Sequence, residues 1–249
     1  MRKRVFTLLA AVAASAASGD SVLAADILSA PKMTAFPLVY NWSGFYLGGH
    51  IGYAWARSDG QLFDQNGMSI GSESVSPRGL IGGAQIGFNY AVTPSWVLGL
   101  EADFTGARLN TTTLNSIVTG QHEYRLSDFG TVRGRVGYAW DRLMVYGTGG
   151  YAWAHEEIVR TQIIGQVNSA IPGTIESDSG LLSGWTAGIG AEWGVSPGWT
   201  VRAEYLHLGL GTRPFTFTAA AQQVDASAQI DLVRFGVNYI FNLGGARPY

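Results

Sequence analysis

From Trp42 to Phe241 apolar or aromatic residues recur at every second position, in runs joined alternately by tight turns and long polar stretches. The run GRVGYAWDRLMVYGTGGYAWA (134–154) shows the unit. Val136, Tyr138, Trp140, Val145, Tyr151 and Trp153 mark the apolar and aromatic positions, with many Gly, Ala or charged residues between them. A period of two is that of a β-strand. A soluble sheet with one wet face seldom carries so many aromatics at both ends of its strands. Lipid on one face and a packed, partly polar lumen on the other fit the pattern, which points to an outer-membrane β-barrel.

Eight strands are predicted, at 43–56, 78–92, 96–107, 126–140, 143–155, 182–195, 199–209 and 229–241. Thr93-Pro94-Ser95, Asp141-Arg142 and Ser196-Pro197-Gly198 supply tight turns. Long polar connections fill 57–77, 108–125, 156–181 and 210–228. This alternation predicts an antiparallel up-and-down barrel with short periplasmic turns and long extracellular loops. The segment IVRTQII (158–164) is expected to prolong its strands above the membrane as a hairpin. Arg160 inside it argues against a ten-strand count in which it crosses the membrane. Tyr90, Trp96, Trp140, Trp193 and Trp199 lie by the tight turns, and Tyr53, Trp55, Phe104, Tyr151, Trp153, Trp185 and Tyr205 near the other strand ends. Two such girdles bracket a hydrocarbon band.

Upstream, Arg2, Lys3 and Arg4 precede the apolar stretch Val5 to Ala17, and Val22-Leu23-Ala24 supplies small residues before a cut. Residues 1–24 therefore read as a secretory signal peptide; the apolar run is short of the ~20 residues of a spanning helix. Residues 25–42, with Pro31 and Pro37, read as a periplasmic lead-in, 43–241 as the barrel and 242–249 as a C-terminal tail.

Parity assigns the charged residues within strands. In WVLGLEADF (96–104), Trp96, Leu98, Leu100 and Phe104 share the lipid face, which sends Glu101 and Asp103 to the lumen. The same argument sends Arg133, Arg135, Glu192, Arg202, Glu204 and Arg234 inward, among small or uncharged residues such as Gly48, His50, Gly83, Gln85, Thr148 and Gly188. Four acids and four arginines cancel. Isolated ions in a narrow interior are strongly unfavourable, so the eight are expected to pair. In a barrel just wide enough for side chains to fill, such a network acts as a plug. The competing reading is a charged constriction in a narrow pore. Arg78, Asp128, His207 and Asp231 have outward parity but lie at strand ends toward the loops.

Composition narrows the remaining classes. There are 34 glycines in 249 residues and 14% charged residues, high and low respectively for a soluble domain. Without the first 24 residues, 13 Lys and Arg stand against 17 Asp and Glu, so no basic surface for nucleic acid is expected. The absence of cysteine excludes disulfides, thiolate metal sites and a lipid-modified N-terminal Cys. His50, His122, His155 and His207 are scattered without metal-ligand spacing. His207 is followed by Leu208 and Gly209, so no serine nucleophile accompanies it. Gly-rich GLIGGAQIG (79–87) opens no helix. No catalytic, cofactor or metal site is read from the sequence, and no enzymatic activity is expected.

The segments WSGFYLGGHIGYAW (42–55), GGAQIGFNY with WVLGLEADF (82–104), RGRVGYAWDRLMVYGTGGYAWA (133–154), GWTAGIGAEWGVSPGWTVRAEYLHLGLG (184–211) and VRFGVNYIF (233–241) resemble the small, porin-like outer-membrane proteins of alphaproteobacteria. These fall within the OmpA-type eight-stranded barrel superfamily. The resemblance implies a monomeric protein of the cell outer membrane, in contact with its lipid and lipopolysaccharide. It also implies insertion by the barrel-assembly machinery, which reads a terminal aromatic: Phe241, or Tyr249 at the end of the appended NLGGARPY. The implied role is envelope integrity and surface interaction, with extracellular loops open to ligands; the alternative is a narrow channel for passive diffusion of ions or small solutes.

Overall fold

A computed structural model describes residues 40–115 and 120–241; the expected signal peptide, most of the lead-in and the tail lie outside them. Among the described residues ten strands form one antiparallel sheet: β1 (Gly44–Phe63), β2 (Ser69–Val75), β3 (Arg78–Ala91), β4 (Trp96–Asn115), β5 (Gly120–Trp140), β6 (Leu143–Gln162), β7 (Ile175–Ser196), β8 (Trp199–Leu210), β9 (Arg213–Phe217) and β10 (Gln222–Phe241). Pairing of β1 with β10, from Phe45↔Phe241 to Phe63↔Gln223, closes the sheet. β2 and β3 both pair with β1, one above the other, and β8 and β9 share β10 likewise. The ten strands are thus eight staves, two of them interrupted. Pro77 marks one break, where its carbonyl accepts the Ala56 N–H at 2.8 Å.

The tight turns stand where the sequence places them. Asp141 and Gly198 take positive φ, 51° and 77°, which Asp tolerates and Gly adopts freely. The long connections differ from expectation. Most of 57–77, 108–125, 156–181 and 210–228 is strand: β1 runs on to Phe63, β6 to Gln162, and β7 begins at Ile175. The prolongation expected only for 158–164 is common to all four hairpins.

The reason is an inversion of polarity along each stave. Between Phe45 and Trp55 the outward residues of β1 are apolar, Ile51 being 72% exposed, as are those of β3, where Leu80 is 76% exposed. Eleven residues at ~3.3 Å rise and ~45° tilt span about 25 Å, the height of a hydrocarbon band. Beyond that point the alternation keeps its period and swaps its faces. On β10, Phe235, Val237 and Tyr239 point out below, whereas Val224, Ala226, Ala228, Ile230 and Leu232 point in above. The upper half is built like a water-soluble barrel. Its core includes Leu62, Leu109, Leu126, Phe129, Ile158, Phe215 and Phe217, none more than 4% exposed.

At the turn end a second apolar cluster seals the base. Trp42, Tyr46, Val97, Ala139, Met144, Tyr146 and Ile240 are all buried there. Residues 40–43 cross beneath the staves: Trp42 Nε1 donates to the Asp141 carbonyl at 3.0 Å and Tyr40 Oη to that of Trp199 at 3.2 Å.

The upper core encloses a few polar groups. Tyr124 Oη and a His122 ring nitrogen meet Glu73 Oε1 at 2.5 and 2.7 Å, and Arg160 Nε donates to Gln222 at 3.1 Å. Glu156 is buried above the apolar band. Burial pushes its carboxyl up from the ordinary 4.5 to about 7, against the opposing hydrogen bond from Ser58 Oγ at 3.0 Å.

Two outcomes follow. Phe217→Ala, at a fully buried ring, should cost about 3–5 kcal/mol. Limited trypsin digestion should then release fragments of the upper half, around Arg125 and Arg213, while the membrane half stays intact; an unchanged digest would refute an independent upper core. Glu156 contributes stability fully present below its unfolded value and lost as pH rises through about 7. The full shift is worth roughly 3 kcal/mol. Thermal unfolding between pH 5 and 9 should show this fall in the wild type, and Glu156→Gln should flatten it.

Candidate functional site in the barrel interior

Between the two apolar clusters the lumen is ionic. β4 contributes Glu101 and Asp103, β5 Arg133 and Arg135, β7 Glu192, β8 Arg202 and Glu204, and β10 Arg234; all eight are at most 4% exposed. Each points inward because alternation leaves its neighbours on the lipid face. Register then sets acids opposite bases on adjacent staves: Glu101↔Arg133, Glu192↔Arg202 and Glu204↔Arg234.

Contacts also cross the lumen. Arg133 binds Glu101, reaches Asp103 Oδ2 at 3.0 Å and Glu204 Oε1 at 3.1 Å. Arg202, on the stave diametrically opposite β4, places Nη1 2.5 Å from Glu101 Oε2. Arg234 Nη2 lies 2.6 Å from Glu204, 3.2 Å from Asp103 and 3.3 Å from Glu101. Arg135 lies 2.7 Å from Glu192 and 3.9 Å from Glu101. Glu101 is therefore the hub, facing four guanidinium groups. Arginine suits this task because its planar fork serves several carboxylates at once.

Neutral groups complete the shell. Tyr46 Oη donates to Glu101 at 2.6 Å, Thr131 to Asp103 at 2.6 Å, Tyr146 to Glu204 at 3.1 Å and Thr200 to Glu192 at 2.6 Å. Asn238 Nδ2 donates to Glu192 at 2.9 Å, and Asn238 Oδ1 accepts from Gln85 Nε2 at 2.7 Å. Gln85 Oε1 in turn meets His50 Nδ1 at 2.5 Å, and Thr105 Oγ1 meets Nε2 at 2.9 Å, which fits the Nδ1–H tautomer. The guanidinium of Arg135 stacks 3.9 Å from the Tyr146 ring centre. Space for the two tyrosines comes from Gly87 and Gly190, where a Cβ would fall 2.3 and 2.5 Å from ring carbons of Tyr46 and Tyr146.

Tyr46, Tyr146, Thr131 and Thr200 are functional neighbours that sequence reasoning missed. The signal for Tyr46 was present: it shares parity with Gly48 and His50, against Phe45 and Leu47. Chemically, the arrangement binds charge to charge and offers no carboxylate free of a cation. Among the described residues no three His, Asp or Glu side chains are grouped to hold a metal ion.

Comparison with known proteins agrees with this architecture. The family model described as an outer membrane protein beta-barrel domain matches residues 5–241. The 31 kDa outer-membrane immunogenic protein of Brucella melitensis is 35% identical over 94% of this chain and 98% of its own length. The 25 kDa outer-membrane immunogenic protein of Brucella abortus is 26% identical over 81% of this chain and 80% of its own. Among solved structures, OprG of Pseudomonas aeruginosa is similar at 10% identity, covering 82% of this chain and all of its own, with a TM-score of 0.48. The closed eight-stave ring, its apolar belt and the match across nearly the whole chain place this protein in the outer-membrane β-barrel family, located in the outer membrane.

Proposed function

We propose that this chain is a closed structural barrel that supports envelope integrity and meets its surroundings through its outer half, rather than a channel or an enzyme. One observation carries the reading: the lumen is filled along its length by an apolar base around Trp42, the eight-residue ionic layer, and the apolar upper core. A conducting path needs hydrated, mobile side chains. Here each ion is held by several partners from different staves, and both ends of the layer are covered by apolar packing. The same pairing argues against a catalytic acid or base, because every carboxylate in the layer is bonded to an arginine.

Surface interaction is supported at the upper rim. A cleft of about 490 Å³ opens between the β1–β2 and β9–β10 hairpins, lined by Phe63, Asp64, Thr216, Gln223 and Asp225 among others. The nearby connection after β6 exposes Ile163, Ile164 and Ile171.

Refolded protein in planar bilayers should give no steady conductance. Arg133→Ala leaves Glu101, Asp103 and Glu204 short of a cation and should cost about 3–5 kcal/mol, read as a lower unfolding temperature for the heat-modifiable band. It should not open a pore, since the layers above and below remain. Steady openings in the wild type, enlarged or abolished by Arg133→Ala or Glu101→Ala, would establish a channel instead.

A further inference from the structure

Each stave has a first polar outward residue above its apolar band, and these rim positions differ sharply around the barrel. On β5 and β6 the pair is Asp128 and His155, with Nδ1 and Oδ2 2.6 Å apart. On β8 and β10 it is His207 and Asp231, 2.8 Å apart, with Tyr205 Oη donating to the same carboxylate at 2.5 Å. Higher on β5, Arg125 is held by Glu123 at 2.9 Å and Glu157 at 3.5 Å. These charges are locally matched.

Three adjacent staves break that rule. β1 carries Arg57, β3 Arg78 and β4 Arg108, all exposed. Trp55 pairs with Arg78 across β1 and β3, and Ile81 pairs with Ala107 across β3 and β4, so the three arginines follow one another along the rim. Among the described residues no carboxylate lies within 4.0 Å of Arg78 or Arg108. Among the described residues the one acid within that distance of Arg57 is Asp59, at 4.0 Å and itself exposed. Immediately below stand Trp55, Leu80 and Phe104, 42%, 76% and 55% exposed on the apolar band. Cations with no close acid partner, directly above an aromatic and aliphatic belt, sit at headgroup depth, where the ligand they complement is anionic and lipid-linked.

We propose that Arg57, Arg78 and Arg108 form a binding site for the phosphate groups of lipopolysaccharide in the outer leaflet, whose acyl chains lie against Trp55, Leu80 and Phe104. Guanidinium groups bind phosphate oxygens two at a time, which a lone lysine at this depth could not do. The site rests on the outer-membrane placement of the chain and is independent of whether the lumen conducts.

The test titrates refolded, heat-modifiable protein in detergent with purified lipopolysaccharide, enzymatically dephosphorylated lipopolysaccharide and inorganic phosphate, read by calorimetry. Phosphorylated lipopolysaccharide should bind with a salt-sensitive affinity that falls about fivefold for each arginine replaced in Arg57→Gln, Arg78→Gln and Arg108→Gln. Arg125→Gln, on the matched side of the rim, should leave affinity unchanged. Equal binding of the dephosphorylated lipid, or full affinity in the triple variant with its heat-modifiable migration intact, would overturn the proposal. So would inorganic phosphate competing at matching concentration, which would mark a free-anion site. Conductance is measured separately, so failure here leaves the closed-lumen reading untouched.

Discussion

Inside lipid no backbone N–H or C=O can turn to water, so the sheet has to end where it begins; the pairing of β1 with β10 meets that requirement. Everything else in the molecule follows from the small size of the resulting ring. Eight staves leave room for side chains and little more. Any charge that alternation sends inward must find its partner there, and any aromatic that enters must find a glycine. Glu101, facing Arg133, Arg135, Arg202 and Arg234, and Tyr46, lying over Gly87, are both answers to that confinement.

The ionic layer is better understood as a specifier than as a source of stability. Buried ion pairs roughly offset their own desolvation, whereas an unpaired member is expensive. A one-residue slip of β4 would exchange Glu101 and Asp103 with the lipid-facing Leu100 and Phe104. It would strand charge in hydrocarbon and leave Arg133 with Glu204 as its one remaining acid. Because the contacts run between opposite walls as well as along neighbours, the layer fixes the register of several staves together.

Much of this was legible in the chain. Strand centres, tight turns and the inward parity of all eight ionic residues follow from the period-two pattern, since lipid allows no polar residue on the wrong face at mid-depth. What the residues could not show is partner choice across the lumen, which depends on stave order and tilt. The upper half was misread as loop because its polarity is reversed: Leu109, Tyr124, Ile158 and Phe217 alternate with polar residues as faithfully as the lower strands do, and the segment as a whole reads as polar. Only 158–164, with its dense β-branched residues, betrayed itself as strand. The seal made by Trp42 was invisible for a different reason, since it stands at the very start of the pattern, ahead of the first strand, where alternation does not show that it closes the base.

The continuation of the staves past the bilayer determines what kind of surface the cell presents. Much of the described exterior is strand, so its side chains are spaced by the sheet itself. A macromolecule that docks there meets residues from neighbouring staves, far apart in sequence, and so recognises the assembled shape; the unfolded chain would not carry that pattern.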